Sequence, residues 1–220
     1  GRGWRVHRMT DPGVYRALTA LLLLSPQTPM LFQGQEFAAS TPFAYFADHE
    51  GKLAEKVKEG RREFLHQFPS LAAEAMQREI PDPTDPRVFA SCKLDFSERS
   101  RHHEIYALHQ DLLRLRRADP AFNSQEPGAL DGAVLGARAW VLRFFAPEGK
   151  DRLLLINLGI DIMLGPVPEP LLAPPFGAIW QVLWSSENPR YGGAGALPLE
   201  NENGWLVIGK SAVVLADSPK

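Results

Sequence analysis

The chain has 220 residues, 45% hydrophobic and 23% charged, with a formal net charge of −2 and a single cysteine. Near-neutral charge without a basic block argues against nucleic acid as a partner, and no apolar stretch reaches the roughly 18 residues a membrane span requires. Cys92 alone excludes an internal disulfide and any multi-cysteine metal site, and the composition is that of a soluble globular protein, expected in the cytoplasm.

The first residue is Gly1 and the first methionine Met9, and nothing there resembles a start region or a signal core. A segment of a longer protein is therefore expected. Asp11-Pro12 reads as an N-cap followed by proline at the first helical position. Val14, Leu18, Leu21 and Leu22 then recur at helical spacing over 11–25, and Leu23 and Leu24 widen the apolar face, so this helix is expected to be packed on several sides. Ser25-Pro26 ends it. Residues 29–32 read as a short buried strand leading into a polar loop that carries Glu36. One helix-to-strand step of this kind suggests a parallel α/β fold with its chemistry after the strand.

The loop 38–50 holds Phe43, Tyr45, Phe46, Asp48 and His49, too many aromatic groups for an idle connection. Residues 52–68 return to helical periodicity through Leu53, Val57, Phe64 and Phe68, and a short helix is expected over 70–78. Three prolines and two aspartates in 80–86 predict a turn-rich loop, continued through 91–96. Ile105, Leu108, Leu112 and Leu115 mark an amphipathic helix over 100–118, closed by Asp119-Pro120.

From Ala133 the period changes. Strands are expected at 138–145, 152–158, 178–184 and 211–216, separated by Gly and Pro clusters, and the three prolines in 164–172 restrict that segment to an edge strand or an extended loop. This part reads as an all-β accessory domain, a small antiparallel β-sandwich able to form its own core. Along 178–184, alternation places Trp180, Val182 and Trp184 on one face. Such a face suits a core, with Trp140 and Trp205 alongside, better than an exposed binding platform.

Several polar groups invite functional readings. His102, His103 and Glu104 lack a third metal ligand at a convincing spacing and read as a solvated helix face. His109 reads as part of the same surface and His66 as a residue near a helix end. Arg114, Arg116 and Arg117 sit where a helix C-terminus favours cations and read as solvated. The glycine-rich run 190–195 lacks the helix N-terminus that a phosphate loop needs; it reads as a flexible loop whose Arg190 and Tyr191 can dock against the preceding domain.

Taken together, Thr28-Pro29-Met30-Leu31-Phe32-Gln33-Gly34-Gln35-Glu36 resembles the Thr-Pro-(apolar)-(aromatic)-x-Gly-x-Glu signature on the last barrel strand of the α-amylase superfamily. Tyr45-Phe46-Ala47-Asp48-His49, Gly60-Arg61-Arg62-Glu63-Phe64, Ile80-Pro81-Asp82-Pro83 and Ser91-Cys92-Lys93-Leu94-Asp95 sharpen the likeness to the malto-oligosyltrehalose trehalohydrolase family. Leu153-Leu154-Leu155-Ile156-Asn157-Leu158-Gly159 and Trp184-Ser185-Ser186-Glu187-Asn188-Pro189-Arg190-Tyr191-Gly192-Gly193 extend it into the sandwich.

The resemblance implies α/β plus all-β architecture: the C-terminal end of a (β/α)₈ barrel over 1–122, then the β-sandwich over 123–220. A complete barrel needs about 250 residues, so only part of one is expected. The resemblance further implies a retaining glycosidase that releases trehalose by cutting the adjoining α-1,4 bond of a malto-oligosaccharide, without metal or organic cofactor. Its catalytic Asp, Glu and Asp lie on earlier strands, the last in an Asn-His-Asp segment absent from these 220 residues. No catalytic residue is therefore assigned, and the chain alone is expected to be inactive. Glu36, Tyr45, Asp48 and His49 are candidates for the active-site rim or for orienting it, and Phe43, Tyr45 and Phe46 for stacking on a sugar or packing beneath the loop. A glycogen branching enzyme and a non-catalytic carbohydrate-binding or structural module are the alternatives.

Overall fold

The structure, a computed structural model, describes residues 3–73, 76, 78–124, 126–146, 149–165, 169–196, 198–201 and 204–220. Among these residues the helices are α1 (Pro12–Leu24), α2 (Gly51–His66), α3 (Pro69–Ala72), α4 (Pro86–Cys92), α5 (Glu98–Arg101), α6 (His103–Ala118) and α7 (Pro120–Asn123). The strands are β1 (Leu130–Gly136), β2 (Ala139–Phe144), β3 (Arg152–Asn157), β4 (Ile162–Leu164), β5 (Ala178–Ser185), β6 (Glu200–Asn201), β7 (Gly204–Val207) and β8 (Ser211–Pro219). The chain forms two compact units, one of Gly1–Met9 and Gln33–Arg101, the other of Thr10–Phe32 and His102–Lys220. No described helix is long and apolar enough to cross a membrane.

In the larger unit α1 starts where its sequence dictates. The Asp11 carboxylate accepts from the Gly13 amide at 2.9 Å, satisfying one of the amides that the first turn leaves without a partner. Carbonyls at and just beyond its C-terminus are gathered by Arg116 of α6, which donates to the carbonyl oxygens of Leu23 (2.9 Å), Ser25, Pro26 (3.2 Å) and Gln27 (3.0 Å). The expected solvated cation face therefore holds for Arg114, paired with Asp111, and for exposed Arg117, but not for Arg116. His109 is a second correction, since it is buried at 1% exposure with Nδ1 2.9 Å from the Ile105 carbonyl.

The expected buried strand at 29–32 is extended but unpaired. Met30 is 86% and Phe32 46% exposed, and only Leu31 packs against the core. A strand needs a neighbouring ladder to satisfy its amides and carbonyls, and among the described residues no strand pairs with this segment.

The β part is antiparallel throughout its main sheet, in the order β1-β2-β3-β8-β5, with a second sheet ordered β4-β7-β6. β3 lies at the centre and is buried on both faces. Leu154 and Ile156 join Leu24, Leu108, Leu112, Phe122 and Phe144 on one side. Leu153 and Leu155 join Val141 and Leu215 on the other, where Trp180 and Trp205 also pack. Phe122 of α7 meets Phe144 edge to face at 4.8 Å, so α1, α6 and α7 share a single core with the sheet.

A bulge corrects the expected tryptophan face. Val182 pairs with Leu215 and Trp184 with Val214, leaving Leu183 as the extra residue. Trp180 consequently points to one core and Trp184 to the other. Strand β1 is an element the reading from Ala133 onward missed in part, because Asp131, Gly132 and Gly136 resemble turn residues. The segment 164–172 resolves into the end of β4 and a single 3-10 turn, Pro170–Leu172, with 166–168 outside the described residues. Of the helix expected over 70–78, α3 accounts for the start, while 74, 75 and 77 lie outside the described residues. Within the predicted turn-rich stretch, Asp85 caps α4 by accepting from the Arg87 amide at 2.8 Å.

The run after β5 is not the flexible loop expected for 190–195, because buried groups tie it at both ends. The Arg16 guanidinium donates to the Ser186 carbonyl (2.9 Å), the Glu187 carboxylate (2.7 Å) and the Gly192 carbonyl (3.3 Å). Both charged side chains are nearly closed off from solvent. Ser186 pairs with Ala212 through its amide and its hydroxyl, each at 2.9 Å. The Tyr191 hydroxyl donates to Asp111 at 2.9 Å and accepts from the Trp184 indole at 3.2 Å. A Cβ on Gly193 would lie 2.3–2.4 Å from the Glu187 backbone, so only glycine fits there.

Removing one member of the Arg16–Glu187 pair, by Arg16→Met or Glu187→Leu, is expected to lower the unfolding free energy by about 3–5 kcal/mol, because the remaining charge stays buried alone. Urea unfolding would measure this, and the double variant should recover much of the loss. Burial and the bond to Asp111 push the Tyr191 hydroxyl up to about 12 from an ordinary value of 10.0. The folded state therefore holds this proton more tightly than the unfolded one, and its contribution is present below pH 10 and lost as pH rises toward 12. Stability followed by circular dichroism should fall across that window, and Tyr191→Phe should flatten the fall.

Candidate functional site

All four sequence-predicted site residues fall in the smaller unit. Glu36 lies on a 3-10 turn, Gln35–Phe37, flanked by left-handed residues on both sides, Gly34 at φ 79° and Ala38 at φ 49°. At Gly34 an added Cβ would sit 2.8 Å from the Leu94 side chain, so the glycine serves both the turn and a close approach. The turn is held from three directions. Arg5 donates to the Gln33 carbonyl at 2.7 Å and the Thr41 carbonyl at 2.6 Å. Glu98, only 4% exposed, accepts from both the amide and the hydroxyl of Ser40. Arg99 reaches the Glu36 carboxylate at 3.5 Å while its guanidinium lies over Phe96 at 4.8 Å and Phe37 at 5.4 Å.

Residues 38–50 contain no regular element, and the three aromatic candidates separate here. Phe43 and Phe46 meet edge to face at 5.9 Å, and Phe46 meets Phe89 of α4 at 5.1 Å. They are packing residues. Tyr45 turns outward, 46% exposed, with the Arg61 guanidinium of α2 lying 4.8 Å over its ring. Beneath the loop, the Ala44 amide donates to the buried Cys92 sulfur at 3.3 Å. Asp48 and His49 are exposed at the end of the loop. Glu36 and Tyr45 are thus held by different cations on different helical segments, and Tyr45, Asp48 and His49 are the members presented to solvent.

Sequence reading missed the groups that do the holding: Arg5, Glu98, Arg99 and Arg61. Glu98 and Arg99 give no local signal of burial, because their partners are far along the chain. A signal for His109 was present, since it falls with Ile105, Leu108 and Leu112 on the apolar face of α6. Among the described residues, no three His, Cys, Asp or Glu side chains gather as they would to hold an ion.

Residues 127–203 match a family model described as a domain of unknown function, DUF3459. The chain is 40% identical over 161 residues to the malto-oligosyltrehalose trehalohydrolase of Deinococcus radiodurans, a match that spans 72% of this chain and 26% of that protein. The chain is a relative of the malto-oligosyltrehalose trehalohydrolases. Enzymes of the same name from Arthrobacter ramosus (39% over 121 residues; 54% of this chain, 20% of that protein) and Saccharolobus solfataricus (32% over 120 residues; 53% and 18%) match as well. This chain therefore spans about a quarter, or less, of the length of the curated relatives it matches.

Among solved structures, a Salmonella typhimurium protein named as an alpha amylase superposes with a TM-score of 0.71 at 23% identity, over 96% of this chain and 32% of that one. A pullulanase from Anoxybacillus complexed with maltotetraose gives 0.52 at 18% identity, over 96% and 24%. These likenesses concern the fold. They support the fold class expected from the sequence, the end of a (β/α)₈ barrel followed by an antiparallel β-sandwich.

Proposed function

We propose that this chain is part of a malto-oligosyltrehalose trehalohydrolase, a retaining glycoside hydrolase that cuts the α-1,4 bond next to the trehalose end of a malto-oligosaccharide and releases trehalose. The observation that carries this reading is the 40% identity over 161 residues with the Deinococcus radiodurans enzyme of that name. Retaining chemistry needs two carboxyl groups about 5 Å apart across the scissile bond, one attacking the anomeric carbon and one protonating the leaving oxygen. In the proposed scheme that pair, and the third carboxylate that supports it, lie in the parent enzyme outside these 220 residues. The barrel portion is assigned to 1–122 and the accessory sandwich to 123–220, and the working compartment is the cytoplasm.

In this scheme the loop 38–50 contributes to the rim of the substrate cleft. Tyr45 offers an exposed aromatic face to the apolar C–H face of a sugar, and Asp48 and His49 offer polar groups to its hydroxyls. Glu36 acts by positioning: its carboxylate is engaged by Arg99, which suits a group that holds the turn next to the cleft.

Trehalose release from malto-oligosyltrehalose, measured for the purified 220-residue chain beside a longer polypeptide extended upstream through a complete barrel, tests the scheme. Release is expected only from the longer polypeptide. Robust release by the 220-residue chain would place catalytic carboxylates within it and overturn the assignment.

In the longer polypeptide, Glu36→Gln is expected to reduce kcat by no more than about 10²-fold, on the order of 3 kcal/mol of transition-state stabilisation. A loss beyond about 10⁴-fold would instead mark Glu36 as a group that acts on the substrate directly.

A further inference from the structure

In the smaller unit Tyr45 presents an aromatic ring to solvent, 46% exposed, and one side of that ring is already taken: the Arg61 guanidinium of α2 lies over it, 4.8 Å from the centroid. We propose that Arg61 is a positioning residue for sugar binding, which caps one face of Tyr45 and fixes the ring so that its opposite face stacks on one glucose unit of a malto-oligosaccharide. This deepens the function proposed above and rests on its placement of loop 38–50 at the rim of the substrate cleft.

The backbone beneath Tyr45 is pinned on both sides. The Phe43 amide donates to the Gly3 carbonyl at 2.7 Å, the Ala44 amide to the Cys92 sulfur at 3.3 Å and the Ala47 amide to the Pro83 carbonyl at 2.8 Å. With the main chain held, the freedom left to the ring is rotation about its side-chain torsions, and a cation seated on one face restricts that rotation. The cation is delivered from a helix tied to the same loop. Lys58, one turn before Arg61 on α2, donates to Asp82 at 2.6 Å, and Asp82 also accepts from the amide and hydroxyl of Thr84 at 3.0 and 2.8 Å. Pro83 stands between Asp82 and Thr84, so one short turn holds both the Ala47 amide and helix α2.

Ion pairing does not account for where Arg61 points. The residues three and four positions away on α2 are Val57, Lys58, Phe64 and Leu65, none of them acidic, and among the described residues Arg61 forms no ion pair. Its cation is used on the ring, as the negative face of an aromatic group favours. A neutral sugar packs its apolar C–H face on such a ring, and binding loses less freedom when the ring is ordered before the sugar arrives. With one side occupied, Tyr45 has room for one sugar ring and not one on each face.

A double-mutant cycle of Arg61→Met and Tyr45→Ala in the longer polypeptide, with kcat and KM for malto-oligosyltrehalose measured separately, tests the pair. Loss of an exposed cation–π contact corresponds to a rise in KM of about two- to fivefold for Arg61→Met. The value of kcat should stay unchanged, because ground state and transition state lose the contact alike. Arg61→Lys, which keeps a cation over the ring, should recover most of the loss, and Tyr45→Phe, which keeps the ring, should behave as the unaltered protein does. In the Tyr45→Ala background Arg61→Met should add nothing. An unchanged KM in Arg61→Met, a fall in kcat of the same size, or an equal rise in KM without Tyr45 would overturn the assignment. Absence of trehalose release from the unaltered longer polypeptide would overturn the hydrolase reading instead. The same cycle, followed as maltotetraose binding to the 220-residue chain by saturation-transfer NMR, then decides the role of Arg61: coupled effects of the two substitutions uphold it, and additive effects or no binding overturn it.

Discussion

The buried contact between Arg16 and the run 186–192 organises the larger unit. A buried ion pair is by itself weak evidence for stability, because desolvating two charges can offset their attraction. Its importance here is geometric. A guanidinium carries five N–H donors in a fixed planar fork, and Arg16 spends them on a carboxylate and two carbonyls of one short segment. Helix α1 can therefore take only one rotational setting against that segment. Once it is set, Tyr191 meets Asp111 and Trp184, and Ser186 zips onto Ala212 at the start of β8. The helices and the sheet become one core through this joint, with Leu24 and Leu108 packed on the same side of β3 as Leu154.

What the sequence made legible is what short-range chemistry controls. Asp11-Pro12 opened α1 and Ser25-Pro26 closed it, as capping and the missing proline amide require. The unbroken run 153–156 was readable as a strand, and it proved to be the central one, buried on both faces. Alternation failed at β5 for a definite reason. Leu183 is inserted as a bulge, and one extra residue moves everything after it to the opposite face. No property of Leu183 itself announces this, since the bulge is fixed by its pairing with β8. The segment 29–32 failed in a different way: its apolar residues were read correctly as strand-forming, but strand formation belongs to a ladder and not to one segment alone.

The candidate residues could be singled out by type, but the groups that hold their loop could not. The residues Glu36, Tyr45, Asp48 and His49 stood out by type and by their position around one loop. The groups that fix the loop lie 28 and 36 residues away for Arg5 and 58 residues away for Glu98. Contacts at such separations follow from the completed fold, not from local pattern. The same limit applied to Arg116, whose position at a helix end suggested solvation on simple electrostatic grounds. Its partners were carbonyls at and just past the end of another helix, more than 85 residues earlier along the chain.

Glu98 and Arg99 support the proposal that Glu36 holds structure. They are neighbours on a single turn of helix, so their side chains diverge by about 100°. One is directed inward to Ser40 and the other toward the 3-10 turn at Glu36. That one turn consequently fixes both ends of the segment 36–40, and the left-handed residues at 34 and 38 give the backbone the sharp curvature needed to bring those ends onto it. Glu36 completes the arrangement, because Arg99, stacked over Phe37 and Phe96, presents its cation at the position this carboxylate occupies. The loop beyond it then leaves the turn in one direction, and Tyr45 reaches solvent while Phe43 and Phe46 pack beneath.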